Sequence, residues 1–342
     1  MKATINDVAK LSGVSIKTVS RVMNNEPSVR QLTREKVQAA VKELNYQPNL
    51  AARNLAGTKS YTIAYVYDNP NAYYVIDMQV GILEACRQQG FELLINPCDS
   101  QQENITEDII NTIKQARVAG LVLTPPFSEN PAFVQRIIEL DIKVVRIMSG
   151  DSAPDELSPC VMVNDRDAAQ TITQHLIDLG HKKIAFIAGE AEHMSTIERY
   201  KGYRRALKHN NIEFNKNLLI EGEYSFDSGV QGAKQLMSTN NLEENRPSAI
   251  FSCNDEIAAG ALFASRLMDI NIPEQLSIAG FENSPFSRQT WPKLTTANQP
   301  NIEIAKNAAS ILIGQIRKKQ NCNNTSQYVP QLVIRDSTGK YS

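Results

Sequence analysis

The sequence predicts two parts: an all-α helix-turn-helix domain at the N-terminus and an α/β core of two doubly wound lobes with parallel sheets. The length of 342 residues favours more than one domain. Residues 1–50 contain short amphipathic helical patterns separated by a glycine turn, whereas short apolar runs alternate with helical stretches from Tyr61 onward. Hydrophobic residues make up 42% and charged residues 21% of the chain, which excludes disorder for its bulk.

Charge is distributed unevenly along the chain. Residues 1–60 contain ten basic and four acidic residues, a net charge of +6, although the whole chain has a net charge of −1. The rest of the chain therefore carries a net charge of −7. A basic segment joined to an acidic body indicates a module that binds a polyanion, and nucleic acid is the obvious candidate.

Other features of the composition exclude several classes of protein. The five cysteines lie far apart without a C-x-x-C pair and the four histidines are scattered, so we expect no disulfide framework, no metal site and no cofactor. Residues 1–10 lack the apolar core of a signal peptide, and no run approaches the roughly 18 apolar residues of a membrane span. These features favour a cytoplasmic protein without a membrane partner.

Three short helices are predicted in the basic segment. Thr4, with Asp7 three residues later, forms a capping box that opens the first helix, and Gly13 ends it. Ser15 can cap a second helix through IKTVSRVMN, and a third helix starts at Thr33. Two short helices joined by a glycine turn describe a helix-turn-helix. The side chains expected to face the core are Ile5, Val8, Leu11, Val19, Val22, Met23, Val37, Val41 and Leu44.

The second helix of such a motif enters the major groove of double-stranded DNA. Lys17 and Arg21 can donate hydrogen bonds to guanine O6 and N7, and Ile16 can contact a thymine methyl group. Contacts with phosphates are predicted for Thr4, Ser15 and Tyr46. A basic amphipathic helix pair can also be a solvated face, so the wider sequence has to decide between the two.

The wider sequence has the order of a known family. The segments ATINDVAKLSGVSIKTVSRVMNN, ELNYQPN and AARNLAGTKSYTIAYV resemble the lactose-repressor and galactose-repressor (LacI/GalR) family of bacterial transcription regulators. The resemblance implies a DNA-binding headpiece at residues 1–48, a hinge helix or linker at 49–60 and an effector-binding core at 61–342. That core is similar to periplasmic sugar-binding proteins.

The hinge is predicted in the segment NLAARNLAG. By resemblance, it is disordered in the free protein and folds on the minor groove when two protomers meet on an operator. Nine residues are too few for a stable isolated helix, which agrees with that behaviour. Leu55 matches the family's wedge residue, an apolar side chain that kinks DNA from the minor groove. A linker leucine without this role is the alternative.

The core is expected to divide into two lobes, between which the family's chain crosses three times. The crossings are predicted near Val161–Asn164, near Pro292–Thr296 and after about Lys318. The first lobe then comprises about residues 61–162 and 294–318, and the second about residues 163–292 and 319–342. Ligands of parallel sheets bind at the carboxyl ends of the strands, so we expect a cleft where the lobes face each other.

Residues at these strand ends have the chemistry of a sugar site, in which aromatic rings stack on the sugar and planar charged or amide groups bind its hydroxyls. The candidates are Asp68, Tyr73, Tyr74, Ser195, Arg199, Tyr224, Asn254 and Glu282. By resemblance, Arg199, Asn254 and Glu282 occupy positions that contact the effector, and Tyr224 occupies that of a stacking aromatic residue.

Structural roles are the alternative for several of these residues. Asp255 directly precedes the helix EIAAGAL and is expected to cap it rather than to touch a ligand. Tyr73 or Tyr74 could belong to the core. Arg199 could pair on the surface with one of two acidic neighbours, Glu198 or Glu190.

One position departs from the family pattern. The segment VVRIMSG places Met148 where the family often has Asp or Asn, with Arg146 and Ser149 nearby. Specificity that depends on that carboxylate or amide therefore cannot be transferred to this chain. Neither lactose nor a purine is assigned by resemblance.

The whole sequence predicts a transcriptional regulator, a repressor of carbohydrate-utilisation genes, that reads a pseudo-palindromic operator as a homodimer. A small sugar or glycoside between the lobes is expected to change the operator affinity allosterically. The alternative within the family is a regulator that depends on a purine or another corepressor. A carbohydrate-cleaving enzyme using Glu282 would leave the basic N-terminus unexplained, and an exported transport protein would need a signal sequence.

Overall fold

The computed structural model describes residues 3–23, 28–46, 60–69, 71–238, 246–318 and 325–341. Nearly all of the predicted hinge, including the predicted wedge residue Leu55, lies outside these ranges. The described chain forms an N-terminal helical domain and two lobes with parallel sheets, which confirms the predicted fold class. No helix within these ranges is long and apolar enough to cross a lipid bilayer.

Three helices form the N-terminal domain: α1 (Ile5–Ser12), α2 (Ile16–Met23) and α3 (Gln31–Glu43). At the start of α1, the Asp7 carboxylate accepts hydrogen bonds from the backbone N–H and the hydroxyl of Thr4, at 2.8 and 2.7 Å. Gly13 ends α1 with a φ of +70°, which glycine adopts without the steric cost of a Cβ atom. Ser15 caps α2 by accepting a hydrogen bond from the Thr18 N–H at 3.2 Å.

The core of this domain lies between the three helices. Val8, Val19 and Val37 are completely buried, as predicted. The prediction for Leu11 is wrong, since its side chain is 46% exposed and Ala9 is buried instead. Positions 5, 8 and 9 form one helical stripe, and position 11 lies about 110° away from its centre at 100° per residue.

The first lobe contains a six-stranded parallel sheet in the order β2-β1-β3-β4-β5-β11. Its strands are β1 (Thr62–Tyr67), β2 (Glu92–Pro97), β3 (Gly120–Leu123), β4 (Lys143–Ser149), β5 (Cys160–Val163) and β11 (Ser326–Tyr328). Its helices are α4 (Ala72–Gln89), α5 (Ile105–Gln115), α6 (Pro131–Ile138) and α12 (Asn301–Ile316), with a 3-10 turn at Phe127–Glu129. One apolar cluster unites the sheet with α4 and α12, and another unites it with α5 and α6.

The second lobe contains a four-stranded parallel sheet in the order β7-β6-β8-β9. Its strands are β6 (Ile184–Ile187), β7 (Leu219–Ile220), β8 (Ala249–Ser252) and β9 (Ser277–Ala279). Its helices are α7 (Asp165–Asp178), α8 (Met194–His209), α9 (Phe226–Met237), α10 (Asp255–Leu267) and α11 (Pro285–Gln289), with a 3-10 turn at Lys216–Leu218. An antiparallel pair is formed by β10 (Thr296–Asn298) and β12 (Gln331–Val333).

The chain crosses between the lobes at points that differ in part from the expected ones. The first crossing lies at Asn164, between β5 and α7. Residues 295–298 bridge to the end of β9 and pair with β12, so the second crossing follows Asn298 and these residues belong with the second lobe. The third follows Tyr328 rather than Lys318, because β11 pairs with β5 in the first lobe. The short segment SQY of β11 has no apolar run by which the sequence could reveal a strand.

Candidate functional sites: a cavity between the lobes and a basic helix

A cavity of about 70 Å³ lies between the two lobes, where the carboxyl ends of their strands face each other. Its lining residues are Asn69, Asn71, Tyr74, Pro125, Ile147, Met148, Ser149, Val163, Asp165, His193, Ser195, Arg199, Tyr224, Glu282 and Gln299. Polar side chains from both lobes therefore face a ligand that enters it.

Arg199 lies on the first turns of α8 and is 3% exposed. Its Nε donates to the Asp165 carboxylate at 3.2 Å, and its Nη1 donates to the backbone carbonyl of Cys253 at 2.7 Å. The guanidinium carbon lies 3.9 Å from the centre of the Phe281 ring, so one face of the cation is covered. Burial of a charge at this depth is tolerated because it is paired and hydrogen-bonded.

The surface pairing considered for Arg199 does not occur. Glu198 binds Arg166 instead, at 2.7 Å, and also binds Lys201 at 2.8 Å. Glu190 accepts a hydrogen bond from the backbone N–H of Tyr224 at 3.0 Å. Helix α8 thus directs Arg199 inward, while Glu198, its neighbour in sequence, faces α7.

Asp165 is the first residue of α7 and is 2% exposed. Besides binding Arg199, its carboxylate accepts a hydrogen bond from the hydroxyl of Ser149, which lies at the end of β4 in the first lobe. Burial raises the pKa of Asp165, and the positive charge of Arg199 opposes that rise. This contact joins the two lobes at the floor of the cavity.

Glu282 follows β9 with a φ of +102°, an unusual backbone conformation for a residue with a side chain. Its Oε2 accepts a hydrogen bond from the Nδ2 of Asn71 in the first lobe at 3.0 Å. Its Oε1 lies 3.7 Å from the Nη1 of Arg199. Burial raises the pKa of Glu282 to about 7, because the distant Arg199 only partly compensates the missing hydration.

Tyr224 places its hydroxyl between two residues of α8. The Ser195 hydroxyl lies 2.9 Å and the Thr196 hydroxyl 2.8 Å from the Tyr224 oxygen. The ring of His193 meets the Tyr224 ring edge-on, with 5.9 Å between the ring centres. The Tyr224 ring also lies against Gly189, where a Cβ atom would be 2.6 Å from it, so only glycine fits there without a shift of the ring.

The structure separates the predicted effector residues into two groups. Those that line the cavity are Tyr74, Ser195, Arg199, Tyr224 and Glu282. Asp68 does not line it, and its carboxylate accepts a hydrogen bond from the Ser100 N–H at 2.8 Å. Tyr73 does not line it either, because its half-exposed ring packs edge-on against Phe286 at 5.6 Å. Asn254 is completely buried outside the lining.

Asn254, rather than Asp255, caps α10. The Asn254 side chain accepts a hydrogen bond from the Ile257 N–H at 2.8 Å. The prediction for Asp255 is therefore wrong. Its carboxylate instead accepts hydrogen bonds from the Thr296 hydroxyl at 2.6 Å and the Ser284 N–H at 2.7 Å.

Several lining residues were not predicted, although their positions in the sequence indicate a place at the cleft. Asn69 and Asn71 lie in the same loop as Asp68, and Asp165 follows β5 at the predicted crossing. His193 directly precedes the start of α8, and Gln299 follows β10. Each stands at a strand end or helix start that faces the cleft, which is the rule that could have found them.

Met148 lines the cavity at the position where the family often has a carboxylate or an amide. It is 6% exposed, and its sulfur lies 3.9 Å from the Cys160 sulfur. This part of the wall offers apolar contact and no strong hydrogen bond. Arg146 lies away from the lining and is buried against Asp155 and Ser158.

The outer face of α2 carries the residues predicted to read DNA. Ile16 is 49% exposed, and Lys17 and Arg21 are exposed on the same helix. The hydroxyls of Thr4 and Ser15 make the capping contacts described for α1 and α2. Tyr46 is half-buried and packs against the core of the helical domain.

The buried carboxyl of Glu282 makes stability depend on pH. Its folded pKa of about 7 exceeds the ordinary value of 4.5, so the native state holds a proton that the unfolded state releases between these values. The contribution of Glu282 to the free energy of unfolding is fully present below pH 4.5 and is lost as the pH rises toward about 7. Glu282→Gln should therefore gain stability over the wild type as pH rises through this window, by at most about 1.4 kcal/mol per pH unit.

Urea unfolding at several pH values measures this difference. Glu274→Gln, at an exposed position of the same lobe, is the matched control and should differ from the wild type by a constant amount. A pH-independent difference for Glu282→Gln would mean that Glu282 is ionised normally in the folded protein.

Family models match both parts of the chain. Residues 4–49 match the model for bacterial regulatory proteins of the lacI family, and residues 173–338 match the periplasmic binding protein-like domain. Among curated proteins, the chain is 31% identical to the HTH-type transcriptional repressor PurR of Vibrio vulnificus, covering 99% of each chain.

Solved structures agree with these matches. The lac repressor dimer bound to operator and the anti-inducer ONPF superposes with a TM-score of 0.75 and 26% identity, covering 99% of this chain and 100% of that one. The CelR–cellobiose complex superposes with a TM-score of 0.73 and 26% identity, covering 98% and 100%. The resemblance noted in the sequence is confirmed, and the chain belongs to the lacI family of bacterial regulatory proteins.

Proposed function

We propose that this protein is a sequence-specific transcriptional repressor of carbohydrate-utilisation genes, whose operator affinity is controlled by a small sugar or glycoside between its lobes. The cavity carries the proposal, because its polar lining comes from both lobes and its hydrogen bonds cross between them. The similarity to the CelR–cellobiose complex supports a sugar as the effector. The relative named PurR supports the alternative of a purine or another corepressor.

Control of DNA binding follows from the two contacts that cross the cleft. The Ser149–Asp165 and Asn71–Glu282 hydrogen bonds join groups of opposite lobes, so their geometry depends on how the lobes are placed relative to each other. A ligand that binds these groups favours one separation of the lobes over another, and shifts the population accordingly. The first lobes would then change their spacing across a dimer, and the hinge segments would pair or separate on the operator.

The helical domain supplies DNA recognition in this proposal. Ile16, Lys17 and Arg21 read bases in the major groove, since α2 presents all three outward. Thr4, Ser15 and Tyr46 contact phosphates, and Leu55 inserts into the minor groove. A protein with this role acts on chromosomal DNA and works in the cytoplasm.

Exposed apolar side chains on both lobes support a homodimer. Ile76 and Val80 lie one helical turn apart on α4, with exposed fractions of 52% and 38%. Phe263 and Leu267 repeat that spacing on α10, with 48% and 64% exposed. Paired apolar side chains of this kind on the surface are typical of an interface.

We propose a binding function rather than catalysis for the cavity. The relatives of this chain are named as transcriptional regulators, and a glycosidase would leave the basic N-terminal domain unexplained. The cavity groups position a ligand by hydrogen bonding, which is sufficient for an effector.

Thermal unfolding of the full-length protein with a panel of monosaccharides, disaccharides and purines tests the effector class. Ligand at 100 times its Kd adds about 2.7 kcal/mol to the free energy of unfolding. Stabilisation by purines alone would replace the sugar assignment with the corepressor alternative.

Replacing Lys17 or Arg21 by Ala should weaken operator binding by about 1 to 3 kcal/mol for each base-specific interaction removed, and should relax the preference for that base pair. Fluorescence anisotropy with an operator selected from random DNA measures the effect. Lys10→Ala, on the exposed surface of α1, is the control and should keep the base preference. Wild-type preference in both α2 variants would contradict base recognition by α2.

Ser195→Ala should weaken binding of the best sugar by about 3- to 10-fold, the equivalent of one neutral hydrogen bond. Thr196→Val is the matched control, because Thr196 also binds the Tyr224 hydroxyl but does not line the cavity. Calorimetric titration separates the two variants. An equal decrease of affinity in both would indicate an effect through Tyr224 alone, and an unchanged affinity in Ser195→Ala would remove Ser195 from the effector contacts.

Leu267→Asp should weaken dimerisation at least about tenfold, because a buried leucine contributes roughly 1.5–3 kcal/mol per side chain. Sedimentation equilibrium measures the monomer–dimer distribution. Ile334→Asp changes a side chain of similar exposure, 62%, outside the two pairs and should leave the distribution unchanged. Wild-type dimerisation of Leu267→Asp would place the interface elsewhere.

A further inference from the structure

Carboxylates outnumber cations around the cavity. Asp165 and Glu282 both line it, whereas Arg199 is the only lysine or arginine among its described lining residues. Both carboxylates depend on that one guanidinium, at 3.2 Å and 3.7 Å. Full ionisation therefore leaves one negative charge without a paired cation in a water-poor site.

Arg199 offers little to a further anion. Its Nε binds Asp165, its Nη1 binds the Cys253 carbonyl, and its Nη2 lies 3.4 Å from the Gln299 amide oxygen. Phe281 covers one face of the guanidinium. These contacts use three of the five N–H groups, and the Glu282 carboxylate lies 3.7 Å from Nη1, so an anionic group on a ligand would compete with Glu282 for the N–H groups that remain.

Further carboxyl groups surround the cavity. Glu129 reaches the first residue of α8, where its Oε2 lies 3.5 Å from the Met194 N–H, and Glu190 holds the Tyr224 backbone. Burial, together with the nearby charge of Glu282, raises the pKa of Asp255 to about 7. The cation on the adjoining part of α7, Arg166, is paired with Glu198 at 2.7 Å and Asp151 at 3.4 Å.

We propose that the cavity selects its ligand by charge, accepting uncharged polyols and polyols with a protonated amine, such as amino sugars, and rejecting phosphorylated or carboxylated sugars. The inference deepens the proposed function and rests on it. A hydroxyl or ammonium group can donate to Glu282 Oε1, whose distance to Arg199 exceeds that of an ordinary hydrogen bond. The raised pKa of Glu282 agrees with a carboxylate that lacks a sufficient donor.

The test uses matched series of ligands with the purified full-length protein near pH 7, where amino sugars keep most of their positive charge. One series is glucose, glucosamine and glucose 6-phosphate, a second is galactose, galactosamine and galactose 6-phosphate, and a third pairs adenosine with AMP. Calorimetric titration gives each Kd. We expect the neutral or amino member of the series that binds to be at least about tenfold tighter than its anionic member.

The outcomes separate this inference from the proposed function. Equal or tighter binding of a sugar phosphate overturns charge selection and leaves the sugar assignment intact. Tighter binding of adenosine than AMP, with no sugar bound, overturns the sugar assignment and supports charge selection. Absence of binding in every series overturns the proposed effector class and the inference with it.

A variant tests whether Glu282 carries the selection. Glu282→Gln removes one negative charge while keeping similar size, and should reduce the discrimination against the anionic member at least about threefold. Glu274→Gln, exposed on the second lobe, should leave the discrimination unchanged. Wild-type discrimination in Glu282→Gln overturns the role of Glu282. If that variant does not fold, the comparison of ligands on the wild-type protein decides the proposal.

Discussion

The sharing of one buried guanidinium by two carboxylates is the constraint on which the cleft depends. Arg199 is almost completely buried, and removing its partners would leave a charge in the interior at a cost of several kcal/mol. Asp165 and Glu282, which pair with it, each also accept a hydrogen bond from the opposite lobe, from Ser149 and Asn71. Arg199 and its two carboxylates therefore shape the second lobe's side of the cavity. Through Ser149 and Asn71, the same carboxylates connect the second lobe to the first.

This connection gives a physical basis for communication between the ligand and DNA. A ligand in the cavity has to compete with or join the hydrogen bonds between the lobes, since the residues that make them line the cavity. In either case, the free energy of lobe closure changes by the difference between the ligand's interaction free energies with the open and the closed arrangement of the lobes. Strand β1 is the first described element after the helical domain, so the first lobe is the part of the core nearest to that domain along the chain.

The regular elements follow from local patterns in the sequence. Caps such as Ser15, valine stripes in α2 and α3, and apolar runs in β1 to β9 specify them without tertiary information. The details of the site depend on distant residues. Asn71 caps α4 locally through the N–H groups of Tyr73 and Tyr74, but its place in the site also depends on Glu282, which accepts its hydrogen bond from the other lobe. Likewise, Asp255 does not cap α10, because its carboxylate binds Thr296 and Ser284, which lie far along the chain.

Reciprocal linkage between sugar and operator tests most directly whether the cleft controls DNA binding. The affinity of the best-binding sugar is measured by calorimetry with the free protein and with the protein bound to its selected operator, and the operator affinity is measured with and without that sugar. Control of DNA binding from the cleft predicts that both affinities change by the same factor, about 5-fold or more, because coupling free energy is reciprocal. Equal sugar affinities for the free and operator-bound protein would contradict it.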